Sequence, residues 1–163
     1  MRAFKWVGTC LLLAGLGSGC GFRIGGPNYG DTIDGIGCDR SANVSFQATI
    51  YLWLVTDAGR EGPTEGVGST GSECNYWVRT EGDAGVIHIR APQPVSPSLE
   101  TFFRIWDLAI PRGSGNSAPF RDAAEHGQIL VDGEQVTGGA SAVTLRDGAT
   151  IELIAPRSAG GGS

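Results

Sequence analysis

Lysine is nearly missing from this chain: Lys5 is the only one in 163 residues. A domain without lysine forms no Schiff base with a carbonyl substrate and offers no ammonium to a phosphate-binding loop. Histidine is also scarce, with only His88 and His126, and no cysteine has a second Cys or His two to four residues away. The spacings that build zinc sites are therefore absent. So is G-x-S-x-G, the turn that presents a nucleophilic serine. Cations are outnumbered, the formal charge being −5, and the arginines are scattered along the sequence. Nucleic-acid affinity rests on clustered cations that displace counterions, so no nucleic-acid partner is expected. No apolar run approaches the roughly 20 residues that span a bilayer.

What is present speaks most clearly at the N-terminus. Arg2 and Lys5 precede a mostly apolar run, Trp6–Leu16, broken only by Gly8, Thr9 and Gly15; Gly17-Ser18-Gly19 then lead to Cys20. A basic region, a short apolar region and small residues follow one another in the order of a secretory signal. Residues 1–19 are expected to be removed, which takes away two cations and no acid and leaves a formal charge of −7.

Leu16-Gly17-Ser18-Gly19-Cys20 resembles the lipobox of bacterial lipoproteins, with Gly17 where that family prefers a branched aliphatic residue and Leu16 one place further out. The resemblance implies that Cys20 carries acyl chains of the palmitate class, becomes the new N-terminus, and holds the protein in the cell envelope. Gly21 after the cysteine implies the outer membrane in a host with two. Each buried CH₂ contributes about 0.8 kcal/mol, so two or three chains anchor stably without a polybasic patch. Gly21–Gly37 has six glycines and no apolar periodicity. Residues 20–37 thus read as a lipidated cysteine and tether, with a reach of roughly 20–25 Å.

After processing, Cys38 and Cys74 are the remaining pair besides Cys20, and in an oxidising compartment they are expected to form a disulfide. Within residues 38–157 the pattern predicts an all-β domain, an antiparallel sandwich or small barrel of about seven short strands, with 158–163 a frayed tail. Asn43–Val55 alternates at its start and is rich in β-branched and aromatic residues. Tyr76–Thr80 and Val86–Arg90 flank the turn Glu81–Gly85. Thr101–Ile110 reads as a strand, and Arg121–His126 as one helical turn at most. Asp132-Gly133 and Asp147-Gly148 lie between apolar runs and signal hairpins. The expected core is Val44, Phe46, Leu52, Leu54, Trp77, Ile87, Ile89, Phe103, Ile105, Leu130, Val143, Leu145, Ile151 and Leu153.

Chemistry is sparse. His88 falls on the solvent face by period two. Asp31, Asp34 and Asp39 depart from calcium-loop spacing at every step, so no metal or cofactor is expected. Asp107, Asp122, Glu125 and His126 are the one group of clustered polar side chains an envelope enzyme could use. Tyr51 with Trp53, and Phe102 with Trp106, are core candidates that could instead offer a platform to a glycan or an envelope protein.

Ile129–Gly162, with Val131-Asp132-Gly133-Glu134, Leu145-Arg146-Asp147-Gly148, an apolar strand, Pro156 and the Gly-rich end, resembles the C-terminal part of ubiquitin-like sulfur carriers. That resemblance implies a reactive terminal glycine in the cytosol. Ala149 stands where that family has Asp, and Ser163 follows Gly162. The expectation is a non-enzymatic, lipid-anchored binding or scaffolding domain. Cys20→Ala is predicted to release the exported protein from the membrane fraction; equal membrane retention of variant and wild type would refute the lipid anchor.

Overall fold

The computed structural model describes residues 28–40, 43–69, 74–109 and 115–156; the expected signal peptide, Cys20 and the Gly-rich end lie outside them. Strand β2 (Phe46–Thr56) organises the fold. Its side chains alternate in burial, with Ala48, Ile50, Leu52 and Leu54 at 0–4 % exposure and Gln47 and Tyr51 exposed. On one edge β6 (Val86–Ala91) pairs antiparallel with its first half, and β3 (Gly59–Glu61) folds back on its last three residues. On the other edge β9 (Thr150–Ile154) runs parallel to it. β5 (Val78–Thr80) continues the sheet beyond β6, and the hairpin of β7 (Gln128–Val131) and β8 (Glu134–Val136) continues it beyond β9. The order is β5-β6-β2-β9-β7-β8. A separate ribbon pairs β1 (Cys38–Asp39) with β4 (Asn75–Tyr76).

The protein is β-rich, as expected, and its main sheet is open, with β5 and β8 at the ends of the order rather than paired into a closed barrel. The expectation of purely antiparallel pairing fails at the centre, between β2 and β9. The strand expected at 101–110 is helix α1 (Leu99–Ala109). Its apolar residues Leu99, Phe102, Phe103 and Trp106 follow i, i+3, i+4, i+7, and all are 0–1 % exposed. Ser98 caps it by accepting from the Thr101 N–H at 3.1 Å. The single turn expected at 121–126 belongs to a longer helix, α2 (Ala118–His126), with Pro119 in its first turn and Phe120, Ala123 and Ala124 turned inward.

Both helices cover one face of the sheet. Their apolar side chains join Ile50, Leu52, Leu54, Ile87, Ile89, Ile129, Ile151 and Leu153 in one core. Trp106 packs against Phe120 at a tilt of 54°, with ring centroids 5.0 Å apart. Most of the expected core is buried, but Val44 is 41 % exposed, and Phe46, Trp77 and Leu130 are only half-buried. Val44 precedes the first paired residue of β2, so the sheet's alternation does not reach it.

Two further differences concern the chain's ends. The apolar run before the expected Asp147-Gly148 hairpin, Ala142–Leu145, is not a strand across from β9. It follows a 3₁₀ turn at Ala140–Ala142, and its backbone bonds to residues 97–99. The Asp147 carboxylate accepts from the Thr49 N–H at 2.8 Å, which fastens the Asp-Gly turn to β2 instead. The tether expected up to Gly37 is docked from Asn28 onward. Ile33 and Ile36 are each 2 % exposed, the Tyr29 ring meets Tyr76 edge-on at 5.3 Å, and Asp34 pairs with Arg104 of α1.

Gly127, at the end of α2, brings the helix against β9: a Cβ there would lie 1.9 Å from the Ile154 carbonyl oxygen. Gly127→Ala is predicted to destabilise by about 1–3 kcal/mol through overpacking, read as a lower midpoint in chemical denaturation.

Candidate binding face

Side chains of a strand alternate between faces, so the sheet's second face follows from the register. Tyr51 lies between Val86 on β6 and Thr150 on β9; Thr49 lies beside His88, and His88 beside Arg79. Trp53 pairs with Glu152, which in turn pairs with Leu130. Among the described residues nothing buries this face: its side chains are half-buried or exposed, while their neighbours on the other face are almost fully enclosed. Tyr51 is 41 % exposed.

Trp53 is held more tightly. The Arg60 guanidinium stacks 4.4 Å over its ring and reaches Glu152 at 3.2 Å. Gly85 lies against the ring, where a Cβ would approach to 2.7 Å, and its φ of +84° is one that suits glycine. Of the expected platform, then, Tyr51 presents an open ring and Trp53 an edge. Phe102 and Trp106, the other pair, lie in the core with centroids 5.7 Å apart.

At the β5–β6 end the face becomes charged. Glu81 divides its two carboxylate oxygens between arginines: Arg79 Nε donates to Oε1 at 2.6 Å, and Arg90 Nη1 approaches Oε2 at 3.2 Å. Arg79 Nη1 also donates to the Tyr76 carbonyl at 3.1 Å. Arg79, Arg90 and Arg40, with Asp39, Val44, Asn75 and Trp77, line a cavity of about 170 Å³. Trp77 Nε1 donates to Asp39 Oδ2 at 2.6 Å. Burial pushes the Glu81 carboxyl upward, but the hydrogen bond from Arg79 and the charges of Arg79, Arg90 and His88 outweigh it and hold the group below the usual glutamate range. Sequence reasoning missed this cluster, because residues 40, 79 and 90 meet only through strand pairing.

The other candidates do not converge. Cys38 and Cys74 are bonded, with Cα atoms 5.4 Å apart. Asp31, Asp34 and Asp39 each serve a different partner: the Asn28 N–H, Thr101 with Arg104, and Trp77. No three metal-ligating side chains gather among the described residues. Asp107 accepts from Ser117 and pairs with Arg121 at 2.8 Å. Asp122 and His126 face each other at 3.2 Å on the exposed side of α2. A groove of about 550 Å³ beside α2 and β8 is lined by Glu125 and Glu100 but by neither Asp122 nor His126.

In the C-terminal pattern, Asp132 (φ +53°) and Gly133 (φ +85°) form the β7–β8 turn, and β9 ends beside Val55. No helix among the described residues is long and apolar enough to cross a membrane. No protein-family profile, curated protein or solved structure matches this chain.

Because the Glu81 carboxyl is held low in the folded state, its contribution to stability is complete above the ordinary glutamate value and is lost as pH falls through the lowered one. Glu81→Gln is therefore predicted to flatten the acid limb of the stability profile. The midpoint gap between wild type and variant should narrow from neutral pH to about pH 3, and an unchanged gap would contradict the assignment.

Proposed function

We propose that this chain is a lipid-anchored protein of a bacterial cell envelope, exported, cleaved before Cys20 and acylated there, whose domain binds or scaffolds a partner without catalysing a reaction. The observation that carries the binding part is the one-sided sheet: helices bury one face, while among the described residues the other leaves Tyr51 exposed and Val86 and Leu130 half-buried, beside Trp53 under Arg60. An aromatic and apolar surface with polar neighbours fits a glycan or an envelope protein as occupant. The bond between Cys38 and Cys74 supports the location, since disulfides persist in oxidising compartments. Asp107 is tied to Ser117 and Arg121, away from the exposed Asp122–His126 pair, which supports a binding role over one built on that group.

Docking of Asn28–Asp39 on the domain shortens, from its C-terminal side, the stretch expected to act as a tether. The anchored domain would then stand close to the bilayer, with its N-terminal clamp toward the lipid and in the outer membrane where the host has two.

The strand order favours a second reading of the architecture. β6-β2-β9-β7-β8, with the first and last of these strands in sequence parallel at the centre and the helices between them, is the order of the ubiquitin-like β-grasp. It extends the resemblance at Ile129–Gly162 to most of the sheet. Shared topology does not carry chemistry, and sulfur transfer would require a free Gly162 carboxylate in the cytosol.

The test is intact mass with fractionation of the protein expressed from its full gene in a lipoprotein-processing bacterium. The expected product is membrane-bound, begins at Cys20, carries acyl mass and lacks two hydrogens for the disulfide. A soluble cytosolic product retaining Met1 would overturn the anchored reading and favour the carrier-like one.

A further inference from the structure

We propose that the cavity between Arg40, Arg79 and Arg90 binds an oxyanion, a carboxylate or phosphate group carried on a larger ligand. Charge is the first argument. The chain beyond residue 19 has a formal charge of −7, yet three guanidiniums meet here against two carboxylates, Asp39 and Glu81. Asp39 is engaged by the Trp77 indole, and Glu81 is shared by two arginines. Both carboxylates are thus already engaged, and three guanidiniums line one cavity on an otherwise acidic protein.

Geometry is the second argument. A guanidinium has five N–H donors in a rigid fork that matches the spacing of carboxylate and phosphate oxygens. Hydrogen bonds to Glu81 and the Tyr76 carbonyl occupy Nε and Nη1 of Arg79, Nη1 of Arg90 faces Glu81 as an ion pair, and both arginines line the cavity. The same bonds hold the two forks in place before anything binds, which lowers the ordering cost of recognition. The Arg79 side chain is only 12 % exposed, so charge there is less screened than on the open surface.

Size and lining define the ligand group. The cavity has a volume of about 170 Å³, well above what one water needs. That suits a phosphate or a carboxylate with its adjoining carbons. Val44, exposed though apolar, and Trp77 form an apolar wall for the carbons next to the charged group. The Trp77 ring is fixed by Asp39 on one side and by close approach to Gly37 on the other.

This site deepens the binding-domain reading by giving it a ligand chemistry, and it rests on that reading. Its test needs no membrane, so its failure is separable from failure of the anchor. The disulfide-bonded full chain is titrated in detergent with inorganic phosphate and, separately, with acetate. Binding is followed by calorimetry and by the Trp77 indole and arginine Nε signals in NMR spectra.

Saturable binding in the low-millimolar range is expected, as for a single small anion, and Arg90→Gln or Arg40→Gln should weaken it about tenfold. Arg104→Gln, which alters an arginine paired with Asp34 on α1, should leave it unchanged. Arg90→Lys, which keeps the charge but loses the fork, should fall between. Each variant is compared by circular dichroism and by intact mass for the disulfide. Binding of phosphate alone would assign the ligand to phosphate esters, binding of acetate alone to carboxylates, and binding of both to either source. No saturation by either anion, or saturation that folded Arg40 and Arg90 variants retain in full, would overturn the proposal.

Discussion

Strand β2 is bonded along both edges, and the parallel bond to β9 ties the start of the domain to its end. Parallel neighbours need a long crossover between them, and here that crossover contains β5, β6, both helices and the β7–β8 hairpin. Tyr51 N–H to the Ala149 carbonyl at one end and Ala155 N–H to the Val55 carbonyl at the other set the register. A slip of one residue would send Ile50, Leu52 and Leu54 to the open face and Tyr51 and Trp53 into the core. The one-sided character of the sheet, and with it any binding face, follows from that register.

The N-terminal segment is held by a different set of forces. Tyr76, fully buried, donates its hydroxyl to the Asp31 carbonyl at 2.8 Å and accepts from the Gly30 N–H at 3.1 Å. Burial is the main reason its phenol is held above the usual tyrosine value. Ile33 and Ile36 bury a short bridge, and the disulfide closes a separation of 36 residues, for which chain entropy gives roughly 3–4 kcal/mol. A glycine-rich segment becomes part of the domain because two isoleucines and a cysteine give it something to bury and bond. Gly37 also lets the Trp77 ring approach the backbone closely, so the N-terminal segment and the arginine cavity share a wall.

Local signals in the sequence were reliable where a turn closed on its nearest neighbours. Asp132-Gly133 joins β7 to β8, and Glu81–Gly85 lies between β5 and β6, because two-strand pairing needs only the residues beside the turn. Thr101–Ile110 failed for a physical reason. Phe, Ile and Trp favour strands by propensity, and they masked a helical spacing at 99, 102, 103 and 106 whose cap, Ser98, follows a proline. Asp147-Gly148 failed differently: the apolar run before it packs against the approach to α1, and the turn itself bonds across to Thr49.

From its residues alone the chain specified a β-rich domain, a cysteine pair able to bond, a single lysine at position 5, and no metal-ligand spacings. These are properties of composition and of neighbours within a few positions, and they do not depend on how distant strands meet. Tertiary structure alone decided which strand runs parallel at the centre, which face stays open, that Val44 remains outside the core, and that Arg40, Arg79 and Arg90 gather around one cavity. Each of these depends on pairing between segments tens of residues apart, where the stabilisation comes from burying a shared apolar face and no local periodicity records the partner.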